Sequence, residues 1–118
     1  MIDAADRSEV YLVLAVEHLR NALQYAERGR RVFFDEGTPD TYLLVEGELR
    51  KAFESLNRLG RPFWKANPMV PRDRIGEIRQ LLTHDYVDVD PALVWGVVTK
   101  EARPLLRRLA RAKAPRSA

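Results

Sequence analysis

The chain has 118 residues, 46% of them hydrophobic, which is a single domain's length with enough apolar material to build a core unaided. It has no cysteine, which excludes disulfides, thiolate metal sites and a thiol nucleophile. The net charge of +3 hides an asymmetry: residues 100–118 hold seven basic residues and one acid, Glu101, so the remainder is net acidic. A basic end is where a phosphate backbone would be held. A solvated helix face with a frayed tail is the plainer reading of the same charges. No apolar run approaches the length that spans a bilayer. The start, "MIDAADRSEV", lacks the basic residues and apolar stretch of a signal peptide. The expectation is a soluble, cytoplasmic protein with no membrane partner.

The first helix is expected to start near Asp3 or Asp6, both suited to an N-cap. Val10, Val13, Leu14, Leu19, Leu23 and Ala26 recur at helical spacing and define its apolar face. Gly29 and "RGRR" weaken the helix beyond Arg28, while Val32, Phe33 and Phe34 extend the buried surface. "DEGTPD" reads as a loop, with Thr38 as N-cap and Pro39 as the first residue of a second helix. Its apolar face is Tyr42, Val45, Leu49, Ala52, Phe53, Leu56 and Leu59, and Gly60 and Pro62 stop it. "RPFWKANPMVP" reads as a connector that Phe63 and Trp64 pin to the core; stacking of these aromatics on a nucleobase is the alternative.

A third helix from about Arg72 carries Ile75, Ile78, Leu81 and Leu82 inward. "HDYVDVD" has no helical period. Asp90 and Pro91 then signal a cap and first turn. The last helix turns Leu93, Val94, Val97, Val98, Leu105, Leu106 and Leu109 inward, with a kink expected at Pro104. The chain therefore predicts an all-α, antiparallel four-helix bundle with short connections over residues 1–112, followed by a flexible basic tail, 113–118.

The stretch "RQLLTHDY", residues 79–86, concentrates the chemistry. A guanidinium grips phosphate with two parallel hydrogen bonds and keeps its charge. An imidazole titrates near neutrality and passes protons. Arg79 and His84 together are enough to cleave RNA without a metal: the 2′-hydroxyl attacks the phosphate, His84 moves a proton and Arg79 stabilises the developing charge. Asp85 either orients the imidazole or caps a turn. At about 100° per residue, Tyr86 lies roughly 20° from Arg79 but His84 about 140° away. The two converge only if the helix ends near His84, or if they meet a second copy across a symmetric interface. The competing reading is a helix C-terminus whose polar residues satisfy the last carbonyls. His18 and His84 fall in different elements without metal-ligand spacing, there is no phosphate-binding loop, and "EGE" at 46–48 reads as surface charge.

"IRQLLTHDY", "VDVDPALVW" and "ARPLLRRL" resemble the C-terminal half of the HepT-like proteins of the HEPN superfamily. The family signature, Arg, four residues, His, one residue, Tyr, falls on Arg79, His84 and Tyr86. Gln80 stands where the family most often has Asn and keeps the amide on a longer stem. "FESL" at 53–56 is the nearest counterpart of a second-helix segment of the family, with Glu54 as its acid. The resemblance implies a HEPN-like bundle that dimerises and acts as a metal-independent endoribonuclease without a cofactor. It further implies a toxin–antitoxin pair in which Arg79 and His84 are catalytic. The antitoxin partner is a small nucleotidyltransferase that transfers AMP from ATP to Tyr86. The rival expectations are a non-catalytic HEPN-type dimer that binds RNA or protein, and a purely structural helical dimer.

Overall fold

The fold, obtained as a computed structural model, describes residues 4–83 and 89–113, with side chains from residue 7 onward. Helix α1 (Ala4–Ala26) leads through a tight turn into the short α2 (Arg30–Phe33). Gly29 makes that turn with φ of 104°, a left-handed conformation that suits glycine. Helix α3 (Asp40–Asn57) is followed by the short α4 (Arg61–Ala66) and then by α5 (Arg72–Leu82). The last helix runs in three parts: α6 (Pro91–Gly96), a π-helical turn (Val97–Glu101) and α7 (Ala102–Arg111). Among the described residues there is no strand.

Side-chain pairs fix the directions. Ser8 receives the Gly60 N–H, His18 meets Glu48 and Arg28 meets Thr41, so α1 and α3 run antiparallel. Arg74 meets Glu101, Arg108 donates to the Met69 carbonyl and Asn67 binds the Lys113 backbone in both directions. Those pairs set α5 antiparallel to the C-terminal helix. The expected antiparallel all-α bundle is the observed one, with α1, α3, α5 and α6–α7 as its long members.

The core is built where four apolar faces meet. Leu19, Leu49, Phe53, Ile78, Val98 and Leu105 are buried in it. Burying each such side chain stabilises the fold by about 1.5–3 kcal/mol before entropy is counted. Most of the expected apolar faces of α3 and of the C-terminal helix are buried, while Tyr42, Leu93 and Leu106 are only partly so. The expected face of α1 is corrected: Ala15, Leu19 and Ala22 are buried, while Val10 and Val13 are more than half exposed. Small residues let α3 approach closely, and alanines carry little weight in a hydropathy pattern. Leu81, also expected inside, is on the surface.

The element boundaries shift for local reasons. α3 starts at Asp40, because Thr38 does not cap it. The Thr38 hydroxyl and the Gly37 N–H both donate to the Asp35 carboxylate, which holds Asp35 below the usual carboxylate range. The stretch expected as a bare connector contains α4. Pro62 lies in its first turn, where the missing N–H costs nothing, and the Trp64 indole N–H donates to the Leu59 carbonyl. Trp64 is half-buried and Phe63 fully buried, as the pinning role requires. Asp90 caps α6 as expected, with its carboxylate accepting the Ala92 N–H. The interruption expected at Pro104 takes the form of the π-helical turn just before it, where the Ala102 N–H reaches the Val97 carbonyl. Proline has no N–H to donate and crowds the carbonyl four residues back, and a widened turn relieves both.

Candidate active site around Arg79

α5 ends at Leu82, and the Thr83 hydroxyl and N–H both donate to the Gln80 carbonyl. Arg79 therefore sits in the last turn of α5. A cation there meets the negative end of the helix dipole favourably. His84, Asp85 and Tyr86 follow and lie outside the described residues.

Arg79 reaches across to α3. Its Nε donates to Glu54 Oε2 at 3.1 Å, and both side chains are a little over a third exposed. The other carboxylate oxygen of Glu54 is 3.7 Å from Arg58 Nε, one helical turn further along α3. Glu54 thus orients one edge of the Arg79 guanidinium. Among the described residues Arg79 has no other ion pair, and this contact engages its Nε alone. A pair this exposed contributes at most about 1 kcal/mol to stability, so its significance is geometric. The local cause is register: Phe53 and Leu56 turn into the core and Ile78 and Leu82 face them. Position 54 then falls beside position 79 at the edge of that contact.

The pair stands between two openings. On one side α1, α3 and Thr83 frame a groove of about 500 Å³ lined by Tyr11, Leu14, His18, Lys51, Glu54 and Arg58. On the other a trough runs along α5, where Arg79 and Gln80 face Asn57 and Trp64. The first groove contains a contact that the sequence did not indicate. His18 Nδ1 and Glu48 Oε2 are 2.6 Å apart across α1 and α3, with both side chains largely buried. The "EGE" acids are therefore committed: Glu48 to His18 and Glu46 to Arg50. Arg74 is paired with two carboxylates. It grips Glu101 through Nε and Nη2 at 2.7 and 2.8 Å and Glu77 at 2.9 Å. Those carboxylates, Glu101 first, raise its pKa above the ordinary guanidinium value. Among the described residues no group of three or more His, Asp or Glu side chains is placed to hold a metal ion. None of the described helices is long and apolar enough to cross a membrane.

Among the described residues the chain is an all-α bundle with Arg79 clamped to Glu54 in the last turn of its third long helix, and in the sequence a histidine follows five residues later and a tyrosine seven. The sequence profile described as ribonuclease HepT-like matches residues 15–112, and the chain belongs to that family. Neither the curated proteins nor the solved structures contain a match to the chain.

Proposed function

We propose that the protein is a metal-independent endoribonuclease acting as the toxin of a toxin–antitoxin pair. The observation that supports this most is the Glu54–Arg79 clamp, which holds one edge of the motif arginine's guanidinium in the last turn of α5. The 2′-hydroxyl of the substrate attacks the adjacent phosphorus and the P–O5′ bond breaks. The products are a 2′,3′-cyclic phosphate and a 5′-hydroxyl. His84 transfers the proton, Asp85 orients its imidazole, and Arg79 stabilises the charge on the phosphoryl oxygens. Gln80, beside Arg79, supplies an amide to the same phosphate. Cleavage should survive EDTA, and a 2′-deoxy residue at the cut position should block it. Activity that vanishes with chelation and returns with Mg²⁺ would overturn this chemistry.

The same reading includes a homodimer and a covalent off-switch. Exposed Leu14 on α1 lines the same groove as Glu54, and a second copy of the chain would cover it. A two-fold arrangement that brings residues 79–86 of both copies together gives each site its twin. Light scattering at micromolar concentration should report a dimer; a monomer would remove the composite site. Silencing follows from AMP transfer to the Tyr86 hydroxyl by a nucleotidyltransferase antitoxin, with pyrophosphate leaving. The new phosphodiester adds a negative charge that pairs with the guanidinium in the place of the RNA phosphate. Incubation with ATP and the partner enzyme should add mass at Tyr86. Modification elsewhere, with Tyr86 untouched, would defeat this part.

A further inference from the structure

The trough along α5 does not end at Arg79. It continues past Asn57 and Trp64 and opens into a wider basin of about 870 Å³ against α4. Trp64, Arg72, Asp73 and Glu77 line both parts, so the two form one surface channel. We propose that this channel is a track for single-stranded RNA, holding the nucleotides to one side of the cut, with Trp64 as a base-stacking platform and Arg72 as a phosphate contact. The proposal rests on the ribonuclease reading and extends it from the reacting phosphate to the bound strand.

Three observations carry it. The first is helix register. Arg72 and Arg79 are seven residues apart on α5, which places them about 20° apart on one face and ~10 Å apart along it. Gly76 lies on that same face between them. A Cβ added at Gly76 would meet no atom of another element within 4 Å, so the glycine is not there to let another element approach. Glycine is also a weak helix former in a helix interior. Its effect is an open gap between two arginines. The second observation is the aromatic. The Trp64 indole is fixed by its N–H bond to the Leu59 carbonyl and by the edge of Phe63 at 5.3 Å. The Arg72 guanidinium lies over its ring at 5.3 Å from the centroid. In this structure the guanidinium covers that ring face, and a base would stack on the indole as Arg72 swings off it to a phosphate. The third is charge. Arg61 and Lys65 add cations at the far end, and neither has an ion pair among the described residues. Of the two lining carboxylates, Glu77 is already paired with Arg74. Arg61, Lys65 and Arg72 have no ion pair among the described residues and face one unpaired lining carboxylate, Asp73, so an anionic strand meets a net positive lining that runs on to Arg79.

The test uses the full-length protein and fully 2′-O-methylated RNA, which the 2′-hydroxyl mechanism cannot cut. Affinity is measured for a trinucleotide and for a 12-mer of the same composition. The wild type should bind the 12-mer far more tightly. Trp64→Leu and Gly76→Leu should each lose most of that length-dependent gain, by roughly tenfold or more. Arg107→Glu, on the exposed side of α7, should retain it. Thermal melting verifies that each variant is folded, and Gly76→Leu replaces a weak helix former where there is space. If both channel variants keep the full gain, the track is wrong. If Arg107→Glu loses as much as they do, the attraction is general electrostatics and the track is equally wrong. If the channel variants bind the 12-mer normally but lose an acidic protein partner, the surface serves that partner instead. Because binding is read without cleavage, a protein that cuts no RNA at all would sink the ribonuclease proposal while this result still decides the track.

Discussion

Arg79 and Arg107 stand on amphipathic helices of the same bundle and differ in almost everything else. Arg79 is partly covered and its Nε is held by Glu54 from a neighbouring helix. Arg107 is exposed and belongs to a row with Arg103 and Arg111, none of which has an ion pair among the described residues. Counting charge along the chain favours the second region, since the C-terminal stretch is the basic one. Geometry favours the first. A guanidinium fixed at one edge presents the other in a set direction, whereas a free side chain must lose rotamer entropy each time it binds. The difference teaches that local excess of charge marks where an anion is attracted, and a cross-helix clamp marks where one is oriented.

The predictions sharpen that contrast. The largest effect is expected at His84→Ala, which removes the proposed proton carrier. Cleavage of RNA should fall by about 10²–10⁴, the range typical of positioned acid–base groups. Electrophoresis of RNA after incubation with purified protein reads it directly, and growth after induction gives the parallel result in cells. Wild-type cleavage by this variant would make the motif structural. Next is Arg79→Lys, which keeps the charge and loses the planar fork. It should cost on the order of tenfold, equivalent to roughly 1.4 kcal/mol of transition-state stabilisation. A smaller loss is expected for Glu54→Gln. The amide keeps the size of the carboxylate but weakens its hold on Arg79. Activity should fall several-fold, and the melting temperature should barely move because the pair is surface-exposed. A variant that loses stability and activity in parallel would show that Glu54 merely joins two helices.

The sequence made the bundle legible through its strongest patterns. The α3 face from Val45 to Leu56 and the capping pair Asp90–Pro91 are both where periodicity and cap chemistry put them. It misled at α1, because Ala15 and Ala22 make the close contact and Val10 and Val13 turn outward. It also hid α4 inside a proline-rich stretch, since Pro62 begins a helix as readily as it ends one. At the site, Arg79 and Gln80 could be named from spacing and family resemblance, and Glu54 from resemblance alone. The clamp between Arg79 and Glu54 joins residues 25 apart, and the His18–Glu48 contact joins residues 30 apart. No local pattern encodes such pairs; they exist because antiparallel packing brings the helices into register. Gly76 carried no signal as a letter, and its meaning emerges only with Arg72 and Arg79 on the same face.

The central claim is that orientation, not charge, makes Arg79 the phosphate-binding residue. The most direct test is to compare the RNA cleavage rates of Arg79→Ala and Arg107→Ala, each lacking one positive charge, at the same ionic strength. The account predicts a loss of about 10² or more for Arg79→Ala, comparable to removing one oriented donor from an oxyanion site, and a rate within about twofold of wild type for Arg107→Ala. Equal losses in the two variants would contradict it.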